Sequence, residues 1–169
     1  MLIIFNGLAD ACQYDKYADY WRGDDMSTKQ TVAEMPGHLI RRLNQHSTAV
    51  FQDRCNEAGF DLTSVQFAAM SALDANPGID QATLAGLIAY DRTTIGGVVD
   101  RLVRKGLVTR QVNETDRRAR QLVLNDKGTQ VLQEITVVVA KLQDEILAAL
   151  SPEERRQFVQ LAKKALRRD

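Results

Sequence analysis

The sequence predicts a mainly α-helical chain carrying one small two-stranded β wing, and three observations carry that expectation. Apolar residues recur at helical spacing from Pro36 almost to the C-terminus. Asp80, Asp91, Asn125 and Ser151 stand as capping residues before four of these runs. Two short runs rich in β-prone residues, 107–112 and 120–125, flank the polar stretch NETDRRA, as the arms of a hairpin flank its tip.

Taken in order, the first helix starts at Pro36, with Leu39, Leu43, Val50 and Phe51 on one face and Arg41, Gln45 and Gln52 on another; Gly59 closes it. Thr63 precedes a second run, Val65, Phe67, Ala68, Met70, Ala72 and Leu73, which stops at Asn76-Pro77-Gly78. Asp80 caps a short helix over 81–90 whose buried side is Leu84, Leu87 and Ile88. Asp91 caps the next, over 92–106, with Ile95, Val98, Val99, Leu102 and Val103 inward and Gly106 at its end. Two helices joined this tightly form a helix-turn-helix.

After the hairpin, Asn125 caps a long helix whose stripe is Val131, Leu132, Ile135, Val138, Val139, Leu142, Ile146 and Leu150. That stripe is broader than a lone surface helix requires, so it calls for a partner. Ser151, Pro152 and Glu154 make a capping box with proline at the first helical position. A last helix follows, with Phe158, Leu161, Ala165 and Leu166 inward.

With 169 residues and 44% hydrophobic side chains the chain can build one domain, or one domain and a dimerisation arm. The clusters LIIF and VVVA fall far short of the roughly 18 to 20 apolar residues of a membrane span. No Lys or Arg precedes Leu2–Phe5, so no signal peptide is read there and the expected location is cytoplasmic. Two widely spaced cysteines, Cys12 and Cys55, fit reduced thiols. Residues 1–30 differ in character, with Tyr14, Tyr17, Tyr20 and Trp21 among Asp and Lys; they read as an N-terminal extension, either functional or a product of start-site choice.

The formal net charge is zero, from 22 basic and 22 acidic residues, yet the charge is not evenly spread. Residues 92–120 hold Arg92, Arg101, Arg104, Lys105, Arg110, Arg117, Arg118 and Arg120 against Asp100, Glu114 and Asp116, a net +5, which leaves −5 elsewhere. A charge cluster alone reads as a solvated face. This one covers the second helix of a helix-turn-helix and the hairpin behind it, the two parts that a winged helix presents to a duplex. The expected DNA-facing residues are Arg92, Thr93, Thr94, Gly96, Gly97 and Arg101 on the helix, and Arg117, Arg118 and Arg120 on the wing. Gly96 and Gly97 each destabilise a helix by about 1 kcal/mol relative to alanine, so another surface approaches closely there, a duplex or a packed helix. The alternative is a winged helix that binds protein and not DNA; three arginines together on the wing speak against it.

The stretch LVRKGLVTRQVNETDRRARQLVLNDKG resembles the MarR family of bacterial transcription regulators: recognition-helix end, first strand, a wing with its Asp-x-Arg signature at Asp116 and Arg118, second strand, and an LNxxG helix start. Asp116 would structure the wing and set the direction of Arg118. The resemblance implies a winged helix-turn-helix over 62–125 and dimerisation helices over 31–61 and 126–169. It further implies a homodimer with interleaved terminal helices on a pseudo-palindromic operator of double-stranded DNA.

Members of that family commonly respond to phenolic or aromatic carboxylate compounds. His38, Arg42 and His46 fall at i, i+4 and i+8 of the first helix, where Arg42 could hold a carboxylate and a histidine a phenolic oxygen. The plainer reading is an ordinary ion pair at Arg42 and half-buried histidines. A metal site is not expected, because two turns separate the histidines by about 12 Å. Some relatives sense oxidants through a cysteine early in this helix; Leu39 and Ile40 stand near that position, and Cys55 reads as a small buried residue. With no phosphate loop, zinc-ligand pattern or nucleophile elbow, neither catalysis nor a cofactor is expected.

Overall fold

The computed structural model describes residues 32–112 and 120–167, and the chain divides into two compact units, Met1–Arg41 and Arg42–Asp169. In the first unit a 3-10 turn, Val32–Glu34, leads into the start of helix α1, Pro36–Glu57. Leu39, placed by its spacing on the core face, is 50% exposed there.

In the second unit α1 buries Phe51 and Cys55 and ends where the pattern required. Gly59 takes φ +82°, and the Phe60 amide reaches back to the Cys55 carbonyl at 2.8 Å, closing the helix in a Schellman turn. Helix α2, Ser64–Ala75, starts in a reciprocal box: Gln66 N donates to Thr63 Oγ1 at 3.3 Å while Thr63 N donates to Gln66 Oε1 at 3.0 Å. Asp80 caps α3, Gln81–Leu87, and Asp91 caps α4, Arg92–Arg104. Helix α3 is shorter than its apolar run suggests. It ends at Leu87, which is 54% exposed, and Ala85 is buried beside Leu84 in its place.

The reason lies in the turn. Tyr90 N donates to Ala85 O at 3.0 Å with Ala89 at φ 55°, a left-handed conformation that disfavours an alanine by about 1 to 2 kcal/mol. That closure swings the chain into α4 and leaves Leu87 outside the core.

Strands β1, Val108–Val112, and β2, Arg120–Leu124, pair antiparallel with Val108 opposite Leu124 and Val112 opposite Arg120. The Gly78 amide donates to Leu122 O at 3.0 Å and the Leu122 amide to Ile79 O at 2.9 Å, so the α2–α3 turn sits on the edge of β2. Helix α5, Asp126–Ile146, follows, capped by Asn125. Leu150, expected on its stripe, lies past its end. Helix α6, Pro152–Ala165, begins in the Ser151–Glu154 box, and Arg155 pins the turn before it through Leu147 O, Leu150 O and Asp144.

Met70 and Leu73 of α2, Leu84 of α3, Ile95, Val99 and Leu102 of α4, Leu122 of β2, and Ile135 and Leu142 of α5 are all essentially inaccessible to solvent. Helix α2 is the hub, touching α3, α4, β2 and α5. Helix α6 departs from expectation: none of its side chains is buried, and Leu161 and Leu166, expected inward, are 57% and 81% exposed.

Candidate nucleic-acid interface

The recognition helix α4 is set by its buried side. Ile95, Val98, Val99 and Leu102 recur at spacings of three and four, which turns Arg92, Thr93, Thr94 and Arg101 outward, and all four are exposed. Arg104 shares that exposure. The Asp91 carboxylate accepts from the Thr94 amide at 2.8 Å and from the Thr94 hydroxyl, so that hydroxyl proton is already committed to the cap. These bonds hold Asp91 below the usual carboxylate range, the Thr94 hydroxyl contributing most. Asp80 is lowered likewise, chiefly by the Thr83 amide that donates at 2.7 Å.

The two glycines differ. A Cβ on Gly96 would stand 3.3 Å from Gln81 Nε2, so its smallness admits α3; the Gln81 amide also donates to Arg92 O at 3.4 Å. A Cβ on Gly97 would meet only the Arg101 guanidinium, at 3.8 Å, because that side chain leans back along the helix toward its N-terminus. Gly97 is thus the open position, with room for a neighbouring surface.

The positive block is less uniform than its sum. Lys105 pairs with Asp61 at 2.7 Å and Arg110 pairs with Asp100. Among the described residues Arg92, Arg101 and Arg120 make no salt bridge, although Arg92 lies close enough to Asp80 to help hold that carboxylate low; all three are exposed. Arg120 opens β2 at the distal end of the hairpin and is exposed. Asp116, Arg117 and Arg118 lie outside the described residues. Sequence reasoning overlooked Tyr90, which is 41% exposed in the helix-turn-helix turn, next to the N-terminus of α4. A phenol there can donate to a phosphate.

Of the proposed ligand row, His38 lies in the first unit, half-buried, with its Nδ1 3.2 Å from an Arg41 nitrogen. Arg42 and His46 lie in the second unit, both exposed on α1. Two shallow clefts of that unit are lined by other residues: one of about 320 Å³ by Arg54, Glu57 and the Val137–Glu145 side of α5, another of about 360 Å³ by Ser71, Asp74, Thr129 and Gln133. Arg54 bridges Glu145 at 2.7 Å and Glu57 at 2.5 Å, and these hydrogen bonds raise its already high pKa. Cys55 is fully buried, which pushes its thiol up and leaves it unreactive. Among the described residues no cluster of His, Cys, Asp or Glu could hold a metal ion, and no helix is long and apolar enough to cross a membrane.

A helix with an outward cationic face, followed by a hairpin on the same framework, defines a winged helix-turn-helix DNA-binding protein. A family model described as MarR family matches residues 60–119. The transcriptional regulator HosA of Escherichia coli O157:H7 is 33% identical over 136 residues, spanning 80% of this chain and 98% of that protein. The chain belongs to the MarR family, and it is a DNA-binding transcription regulator, not an enzyme. Solved structures agree. Bordetella bronchiseptica BpsR, whose DNA binding is regulated by 6-hydroxynicotinic acid, superposes with a TM-score of 0.76 at 27% identity, covering 84% of this chain and all of that one. The transcriptional repressor CouR, bound to a 23-mer DNA duplex, gives a TM-score of 0.73 at 26% identity, covering 85% of this chain and all of CouR.

Proposed function

We propose that this chain is a cytoplasmic, homodimeric repressor whose hold on a pseudo-palindromic operator is released by a small aromatic acid of the phenolic or hydroxybenzoate class. The observation that carries the reading is the set of exposed guanidinium groups that form no salt bridge among the described residues, Arg92 and Arg101 on α4 and Arg120 on the hairpin. Arg92, Thr93, Thr94, Gly97 and Arg101 face the major groove, while Gly96, also expected there, lets α3 approach. Arg117, Arg118 and Arg120 meet phosphates or the minor groove, with Asp116 shaping the wing. Residues 31–61 and 126–169 supply the dimer contact.

For the ligand, Arg42 offers a charged fork to a carboxylate and His46, one turn on, a partner for a phenolic oxygen; His38 continues the row in sequence. That BpsR responds to an aromatic hydroxy acid supports this class. The test is a titration of the full chain against the promoter beside its own gene. With about 6 to 10 phosphates contacted, affinity falls about 10³- to 10⁵-fold between 50 and 200 mM salt, and a flat response rejects the reading. 4-Hydroxybenzoate and 6-hydroxynicotinate should raise the thermal midpoint by mass action. Arg42→Ala should abolish that rise and leave DNA affinity intact; a rise that survives removes Arg42 from the ligand site.

A further inference from the structure

The C-terminal end of the recognition helix is held by the first residues of α5. Helix α4 closes through Gly106, at φ +68°, with the Leu107 amide donating to Leu102 O at 3.0 Å. Such an end leaves carbonyls without helical partners. The carbonyl at the cap and the two just past it find donors in one place: Lys105 O accepts from Lys127 Nζ at 3.1 Å, Gly106 O from Asn125 Nδ2 at 2.9 Å, and Leu107 O from the Asn125 backbone amide at 3.3 Å. The other side-chain atom of Asn125, Oδ1, accepts from Gly128 N at 2.9 Å and caps α5. One amide side chain therefore ties the start of α5 to the turn that closes α4, its oxygen facing a backbone donor and its nitrogen a backbone acceptor.

The joint is also tight. Gly128 is buried, and a Cβ there would stand 2.1 Å from Leu107 O and 3.0 Å from Leu107 C, both backbone atoms that no side-chain movement can clear. Glycine at this position is what lets α5 begin directly against the start of β1. The partial negative charge at the end of α4 meets the partial positive charge at the start of α5, which favours the same arrangement.

We propose that Asn125 is a positioning residue for DNA recognition: its amide nitrogen, with Lys127 and the close approach at Gly128, locks the angle between the recognition helix and α5, and so fixes how α4 enters the groove. The inference rests on α4 being the groove helix. Capping alone needs only an oxygen, which serine supplies. Holding Gly106 needs a second, donating atom at the reach of an asparagine, which serine lacks. Asn125→Ser therefore separates the two roles.

The experiment compares the full-length wild-type chain, Asn125→Ser and Gly128→Ala on two duplexes, one selected by the wild type from a random-sequence pool and one of scrambled sequence, across a salt series. Asn125→Ser should keep the helical content and the salt slope of the wild type, because no phosphate contact is lost. Its preference for the selected duplex should fall by about tenfold or more, the effect of one mismatched base pair. Gly128→Ala, which forces the joint open while favouring the helix, should lose the same preference if it folds. Amide exchange at residue 125 should quicken in Asn125→Ser while that at Ile135 stays slow. A variant with loosened exchange at 125 and undiminished sequence preference overturns the proposal. A wild type that shows no salt-dependent binding overturns the assignment of α4 to the groove, and the proposal with it, while leaving the exchange result unchanged.

Discussion

Arg101 and Arg110 carry the same charge but face different neighbours. Arg110 is drawn onto Asp100, one helix turn behind the Arg104 side chain that bonds Asp100 O at 3.4 Å, whereas Arg101 lies over Gly97 with no carboxylate beside it among the described residues. An exposed pair of this kind adds little to stability. Its effect is to neutralise one cation of the positive block. Each phosphate contact contributes about 0.9 to the slope of log affinity against log salt. Arg101→Ala should therefore lower that slope by about one unit, and Arg110→Ala by clearly less. Equal losses in a salt-series titration would show that Arg110 abandons Asp100 for a phosphate.

At the scale of elements, what could be read from sequence is what is decided within one turn. Asp80, Asp91, Asn125 and Ser151 each cap the helix they precede, because the bond runs from a side chain to an amide three residues on. The hairpin arms were legible because two short β-prone runs flank a polar stretch, although their pairing joins residues as far apart as Val108 and Leu124. Partners set by tertiary packing were not: Lys105 and Asp61 are 44 positions apart, and nothing in either neighbourhood announces the pair. The exposure of Leu87 follows from a left-handed turn at Ala89, a residue type that gives no warning of it. The LNxxG start carried a signal for the Asn125 joint, but only the backbone contact at Gly128 shows why the glycine is needed.

The caps also predict an acid response. Asp91 has its folded pKa depressed, so its contribution is complete above its unfolded value of about 3.9 and is lost as pH falls through the lower, folded one. Asparagine caps equally well without titrating. Urea midpoints measured from pH 7 to pH 3 should show Asp91→Asn near the wild type or slightly below it at neutrality, with a shallower fall below about pH 4. Parallel curves would mean that the carboxylate's charge does not matter to the cap.

For the whole molecule, the apolar surface left on the C-terminal helices is the constraint to satisfy. Leu161 of α6 and Leu166 at its cap, both expected inward, stand 57% and 81% exposed, and Val137 of α5, off that helix's apolar stripe, is 59% exposed. Apolar patches of this kind on an isolated chain mark a contact surface, and a second copy offers a matching one by symmetry. If that contact links two recognition helices, each protomer's binding raises the effective concentration of the other on the operator. A glutamate at position 161 places a charge where an apolar contact should form, without disturbing any residue buried within the protomer. Leu161→Glu should sediment as a monomer at micromolar concentration, keep its helical content, and bind the selected duplex about 10²- to 10⁴-fold more weakly through the loss of bivalency alone. A variant that remains dimeric places the contact elsewhere. A monomer with undiminished affinity would show that a single winged helix carries the whole recognition, the broad stripe on α5 being covered by the protomer's own core.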